Sequence, residues 1–281
     1  MPLITDLKQQ LSELVTFKFI SSAFTEASAV KLKNIRAEFD RNRSFYEEIS
    51  KVYHLVKISA IRNKVNLPTS SATGTGSSIL SVAVTSNLRF YGALNMNIMQ
   101  KFVAASEKSN SVLMVIGSTG VDYLKAIGFQ KPYEAILFKS DNPAPEEINE
   151  FMTKTLKFQQ VILYYPKFFS LLSQVVGVVD ITYISEPENA SEEEFVECIF
   201  EPELAKILQF FESQVRALLF MRVMLETELA RTAARLMAMS AAEERTDTMI
   251  REQKQELARM MRSITNAQLL ETFAGISKWR Q

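Results

Sequence analysis

From Glu203 to Ala274 the chain reads ELAKILQFFESQVRALLFMRVMLETELARTAARLMAMSAAEERTDTMIREQKQELARMMRSITNAQLLETFA, with neither glycine nor proline. Proline costs about 3 kcal/mol in a helix interior and glycine about 1 kcal/mol, so this exclusion predicts helix throughout. Leu225, Leu229, Leu236 and Met239 fall on one face, followed by Ile250, Leu257, Met261 and Ile264. Such spacing is the apolar stripe of a helix, and sustained it is a coiled-coil seam. At 1.5 Å per residue a continuous helix here would run roughly 100 Å. A compact domain cannot cover such a rod, so either the helix breaks or its stripe is buried against another long element.

The opposite end of the chain offers that element. Leu3 to Leu67 again lacks glycine and proline. Leu3, Leu7, Leu11 and Leu14 start a stripe that Ala23, Ala27 and Val30 continue, then Ile35 and Phe39, then Phe45, Ile49, Val52 and Val56. The two helices are predicted to pair antiparallel, each well-buried leucine contributing roughly 1.5–3 kcal/mol.

Between them, 68–202 holds nearly all the glycine and proline. Strands are expected at Ile79–Thr85, Val112–Ile116, Glu134–Phe138, Val161–Tyr165 and Val178–Ile184. Helices are expected at Gly92–Ala105, at Asp122–Ile127 and from Pro145, a residue suited to a first turn. This alternation predicts an α/β domain with a largely parallel sheet. The division is 1–67, 68–202 and 203–281. Pro68–Ser78 and the acidic Glu186–Glu194 read as mobile loops.

Composition narrows the function. Of 281 residues, 47% are hydrophobic and 23% charged, and Lys plus Arg (32) equals Asp plus Glu (32). The zero balance argues against nucleic acid. The lone Cys198 fits a reducing compartment, and one cysteine with one histidine, His54, cannot build a structural zinc site. The N-terminus does not read as a secretory leader, and no apolar run reaches membrane-spanning length.

Candidate chemistry is sparse. Thr73-Gly74-Thr75-Gly76-Ser77-Ser78 hints at a phosphate cradle but lacks the closing Gly-Lys-Ser/Thr and precedes its strand, which favours a flexible loop. Gly117-Ser118-Thr119-Gly120 follows a strand and opens a helix, where backbone amides can bind an anion. It lacks the third glycine of a dinucleotide fingerprint, and a tight strand-to-helix turn is the plainer reading. His54 has no second histidine at helical spacing, Cys198 sits in an apolar run, and Glu192-Glu193-Glu194 reads as a solvated run. No nucleophile, base and orienting group come together; no catalytic residue, cofactor or metal is expected.

In order, the segments resemble the F-type ATP synthase gamma subunit over nearly the whole chain. Ala233-Ala234-Arg235-Leu236-Met237-Ala238-Met239 is similar to the family's A-A-R-M-x-A-M run. Ser263 to Glu271 is similar to its I-T-x-E-L-x-E stretch, and Phe200-Glu201-Pro202 to its aromatic-Glu-Pro entry. Thr85 to Asn95 stands in place of T-S-D-R-G-L-C-G-G-L-N, agreeing at Thr85, Ser86, Gly92, Leu94 and Asn95. Ile20 to Phe24 and Ala29 to Leu32 stand at I-T-K-A-M and A-S-K-L. The aspartate, arginine and cysteine of the second motif are missing, and Lys8 and Lys18 are the only cations before Lys31 in a helix that is usually basic. Those departures suit a divergent branch.

The resemblance implies an antiparallel coiled coil carrying an inserted Rossmann-like α/β domain. It implies a rotor subunit of the central stalk, coupling ion flow through the membrane sector to ATP synthesis or hydrolysis in an alpha/beta hexamer. Leu269, Leu270, Phe273, Ile276 and Trp279 would form the apolar bearing. Arg235, Arg251, Arg259 and Arg262 would face acidic loops of beta, with solvated or intrahelix pairs such as Glu256 with Arg259 as the plainer reading. Lys31, Lys33 and Arg36 would face the epsilon subunit and the membrane c-ring. The implied place is the cytoplasmic face of a bacterial plasma membrane, held peripherally. A static coiled-coil scaffold, a repurposed rotary-like machine, and a nucleotide-dependent enzyme using 117–120 stay open as alternatives.

Overall fold

The computed structural model describes residues 2–62, 79–182, 201 and 203–279. The loops expected at 68–78 and 186–194, Cys198, Phe200 and Pro202 fall outside the described residues, as do the side chains of His54 and Trp279.

The two glycine- and proline-free stretches form single helices, α1 (Pro2–Arg62) and α5 (Leu204–Trp279). Between them come β1 (Ile79–Val84), α2 (Leu94–Lys108), β2 (Val112–Ile116), α3 (Ser118–Ala126), β3 (Tyr133–Ile136), α4 (Pro145–Thr155), β4 (Gln160–Phe168) and β5 (Gln174–Asp180).

The chain divides into two compact units. One comprises residues 1–29 with 235–281, the other residues 30–234. In the first, segments of α1 and α5 lie antiparallel: Lys18 pairs with Asp247 at 2.7 Å, and Gln253 donates to Gln10 at 2.7 Å. Leu7, Met239 and Ile250 are buried there. In the second unit the direction is the same, with Lys31 against Glu228 at 2.8 Å and the Arg222 guanidinium 4.6 Å over the Tyr46 ring.

The α5 stripe is placed as expected at Leu229, Met239 and Ile250; Met261 is exposed. The α1 stripe differs. Leu7, Ser21, Ser28 and Ile35 are buried on one heptad line, with Leu14 half-buried between the first two, whereas Ala23, Ala27 and Val30 are exposed. Further on, Ser50 and Val56 are buried and Phe45 and Val52 exposed. The reason is the period: a seam repeats every 3.5 residues, and here serines as well as apolar residues fall on it, so apolar identity alone misplaces it.

In the second unit the sheet order is β3-β2-β1-β4-β5. The first four strands are parallel and β5 runs antiparallel to β4. One face packs on α2 and α3 through Ile98, Met99, Phe102 and Leu124. The other packs on α4 and α5 through Phe151, Leu219, Phe220 and Val223, with Phe151 and Phe220 stacked at 4.5 Å. β5 begins earlier than the strand expected at Val178–Ile184. A hairpin joins it to β4 through Phe169–Ser173, a turn with no glycine, proline or asparagine to mark it. β4 also continues through Pro166, beyond the residues that pair with β1. A proline is tolerated where its missing N–H faces an unpaired edge.

Candidate functional site

In an open α/β sheet the ligand crevice lies at the carboxyl ends of the strands, where the chain order reverses. Here that point falls beside β1, flanked by β2 and β4. Thr85 continues β1, its N–H donating to Ile116 O at 2.8 Å and its hydroxyl to the same oxygen at 2.7 Å.

The turn opening α3 closes over this end. The Ser118 amide donates to Asn87 Oδ1 at 3.0 Å, the Thr119 amide to Ser86 O at 3.1 Å and the Gly120 amide to Thr85 Oγ1 at 3.0 Å. The amides that could hold an anion are thus engaged by the β1 loop. The glycines answer the same packing: a Cβ at Gly117 would sit 2.4 Å from Thr85 O, and one at Gly120 2.6 Å from Thr85 Oγ1. Tight strand-to-turn packing, not phosphate approach, accounts for both. The anion reading of 117–120 does not fit this geometry.

Over the crevice lies Arg231 of α5, a fully buried side chain that sequence reasoning missed. Nη2 donates to Thr85 O at 2.6 Å and Nη1 to Asp141 O at 3.1 Å. The Asp141 carboxylate accepts from the Asn87 amide at 2.6 Å and the Tyr91 hydroxyl at 2.7 Å. Burial lowers the Arg231 pKa, opposed by the nearby charge of Asp141 and the groups of Tyr91 and Glu228. No spacing rule links positions so far apart in the chain.

The motif positions hold this loop together. Asn95 Nδ2 donates to Ser86 Oγ at 2.7 Å, and Ser86 Oγ donates to Leu88 O at 2.6 Å. Gly92 has φ +58, a left-handed value glycine adopts freely, and Leu94 is buried. Asn87 stands where the motif has aspartate; its Nδ2 donates to Phe138 O at 2.8 Å, which a carboxylate cannot do, and a second acid there would crowd Asp141. On α5, Ala234 packs with the α2 face of the sheet.

A second buried polar group ties α5 to the hairpin. Tyr165 OH donates to Glu226 Oε2 at 3.0 Å. Burial raises the Glu226 pKa, opposed by Tyr165, Arg222, Lys167 and the Phe168 amide. The Tyr165 phenol is raised too, by burial and by Glu226.

The remaining sequence-derived residues divide between the units. In the first, Leu269, Leu270 (70%), Phe273 (68%) and Ile276 are exposed near the end of α5. Arg251, Arg259 and Arg262 are exposed, Arg235 and Met237 are half-buried, and Met239 is buried. No ion pair joins Glu256 to Arg259 among the described residues. In the second, Lys31 is tied to Glu228, while Lys33 and Arg36 are exposed. Among the described residues there is no metal-binding cluster, and no helix is long and apolar enough to cross a membrane.

Antiparallel helix segments with an inserted α/β sheet, whose strand-end crevice is filled by the chain's own arginine, define a helical-pair protein with a sheet module. Residues 4–277 match the family model described as ATP synthase, and the chain belongs to that family, on its gamma branch. It is similar to the ATP synthase gamma chain of Chlorobium limicola, 26% identical over 288 residues and covering 98% of each chain. It is also similar to the ATP synthase gamma chain of Clostridium botulinum (strain Hall), 23% identical over 284 residues, covering 98% of this chain and 97% of that one. In fold it resembles a chain of the Tetrahymena thermophila mitochondrial ATP synthase central stalk/c-ring, with TM-score 0.58, 20% identity, and coverage of 79% of this chain and 99% of that one. A chain of the Euglena gracilis mitochondrial ATP synthase gives TM-score 0.56 at 14% identity, covering 89% and 94%.

Proposed function

We propose that this chain works as the central-stalk rotor of an F-type ATP synthase, turning inside a hexamer of alpha and beta subunits. The observation that carries this reading is the family match across residues 4–277, both long helices included. The helices serve as the shaft, in the functional division 1–67, 68–202 and 203–281.

Leu269, Leu270, Phe273, Ile276 and Trp279 form the bearing. The exposure of the first four supports this: an apolar surface in contact with an apolar sleeve is held by non-directional forces, which do not fix one angle as directed hydrogen bonds would. Arg235, Arg251, Arg259 and Arg262 meet acidic loops of beta. Lys33 and Arg36, with Lys31 beside them, face epsilon and the c-ring. The chain is a non-catalytic, peripheral component on the cytoplasmic side of a bacterial plasma membrane, and nucleotides bind in the hexamer. The arginine-filled crevice suits a part that transmits load.

Co-expression with the alpha and beta subunits of the same organism tests this. One complex in gel filtration, with ATPase activity that needs this chain, is expected. A stably folded chain that elutes alone, beside alpha and beta that are active without it, would overturn it.

A further inference from the structure

The β4–β5 hairpin outruns the sheet that carries it. β4 pairs with β1 as far as Tyr164, whereas its pairing with β5 continues to Phe168 opposite Gln174. Residues 165–168 and 174–177 therefore form a two-stranded ribbon, in which Pro166 has no N–H to give the ladder. Such a ribbon is marginal in water unless something else holds it. Its tip is apolar, with Phe169 75% and Leu172 76% exposed.

Two side chains tie the ribbon to helices. Lys101 of α2 donates to Val176 O at 3.2 Å from an exposed position. Tyr165 makes the buried tie. Its ring lies against Gly177, where a Cβ would come within 2.7 Å of Cε1, and its hydroxyl donates to Glu226 Oε2 of α5 at 3.0 Å. Glu226 is 5% exposed. Arg222 and Lys167 reach it through their charge, without an ion pair among the described residues. The Arg222 guanidinium instead lies over the ring of Tyr46 on α1, while the Phe168 amide donates to the carboxyl. β5 adds no charged side chain between Gln174 and Val179.

We propose that Tyr165 and Glu226 form a proton-sensitive latch holding the projecting ribbon on α5, tight while the Glu226 carboxyl carries its proton and looser once it is ionised. The neutral carboxyl is buried at little cost, and Oε2 still accepts from Tyr165. The ionised one needs hydration that a phenol and unpaired cations do not replace, and water reaches it when the ribbon parts from α5. Burial raises the Glu226 pKa in the closed state. Closure is therefore firmest below the ordinary carboxylate value and weakens as pH rises through the raised one. The apolar tip is held firmly in acid and loosely near neutrality. The latch stands apart from the rotor reading and can fail while that reading holds.

Native-state amide exchange of the full chain between pH 5 and pH 8, each rate divided by the intrinsic peptide rate at that pH, tests the latch. Segments covering 165–177 should open on their own, protected at least tenfold less than β2 and almost insensitive to low urea. Their protection should fall several-fold as pH rises. Glu226→Gln, which keeps an acceptor for Tyr165, should flatten that dependence. Tyr165→Phe should lower ribbon protection at every pH, both variants being checked for folding by circular dichroism. Ribbon protection equal to that of β2 at every pH would mean that the ribbon opens with the whole module, and overturns the proposal. So does protection that ignores pH in the parent, that keeps its pH dependence in Glu226→Gln, or that is undiminished in Tyr165→Phe.

Discussion

Arg231 is the residue on which the sheet module depends most. It brings a guanidinium to the last carbonyl of β1 and to the Asp141 main chain, with the Asp141 carboxylate held by Asn87 and Tyr91. Removing it leaves buried acceptors unmet. Arg231→Met should therefore cost about 3 kcal/mol in urea unfolding, although methionine fills much of the space. Glu226 acts in the opposite sense. Burial raises its native pKa above the ordinary 4.5, so the native state takes up a proton more readily than the unfolded chain. Its contribution to stability is therefore fullest below the ordinary value and is lost as pH rises through the raised one. Glu226→Gln, which keeps an acceptor for Tyr165, should be more stable than the parent at pH 7. Denaturant melts across pH should show the difference shrinking as pH falls toward 4.5; a gain that persists unchanged in acid would contradict this.

At the scale of elements, the end of α5 makes a claim separable from folding. Leu270 and Phe273 are exposed, so Leu270→Ser with Phe273→Ser should leave the unfolding free energy of the isolated chain within about 0.5 kcal/mol of the parent. The same pair should lower the yield of assembled complex or its turnover, read by gel filtration and ATPase assay. Much of this organisation was legible in the residues. Exclusion of glycine and proline gave α1 and α5, because both residues act locally on any helix, and the continuous apolar run Val112–Ile116 gave β2 to the residue. Illegible features depended on partners far along the chain. Ser21 and Ser28 look like surface positions until a second helix lies on them. The turn before β5 has no glycine, proline, asparagine or aspartate, only Ser170 and Ser173, which bond to each other across it, so the hairpin passes for loop. Asp141 and Arg231 meet only because β1 ends beneath α5, and no local pattern announces that. Thr85, Ser86, Gly92 and Asn95 were visible by resemblance, though their bonds were not.

For the whole molecule, physics and comparison contribute different parts. The antiparallel pairing of α1 with α5 within each compact unit follows from apolar stripes seeking burial. That the chain turns comes from its family, since a helix pair with a sheet module does not by itself imply motion. The most direct test is to watch it. With the alpha/beta hexamer fixed to glass and a bead attached through Lys108→Cys in a Cys198→Ser background, ATP should drive sustained rotation of the bead in one direction. A bead that stays still, or only fluctuates, while the same complexes hydrolyse ATP would contradict the rotor account.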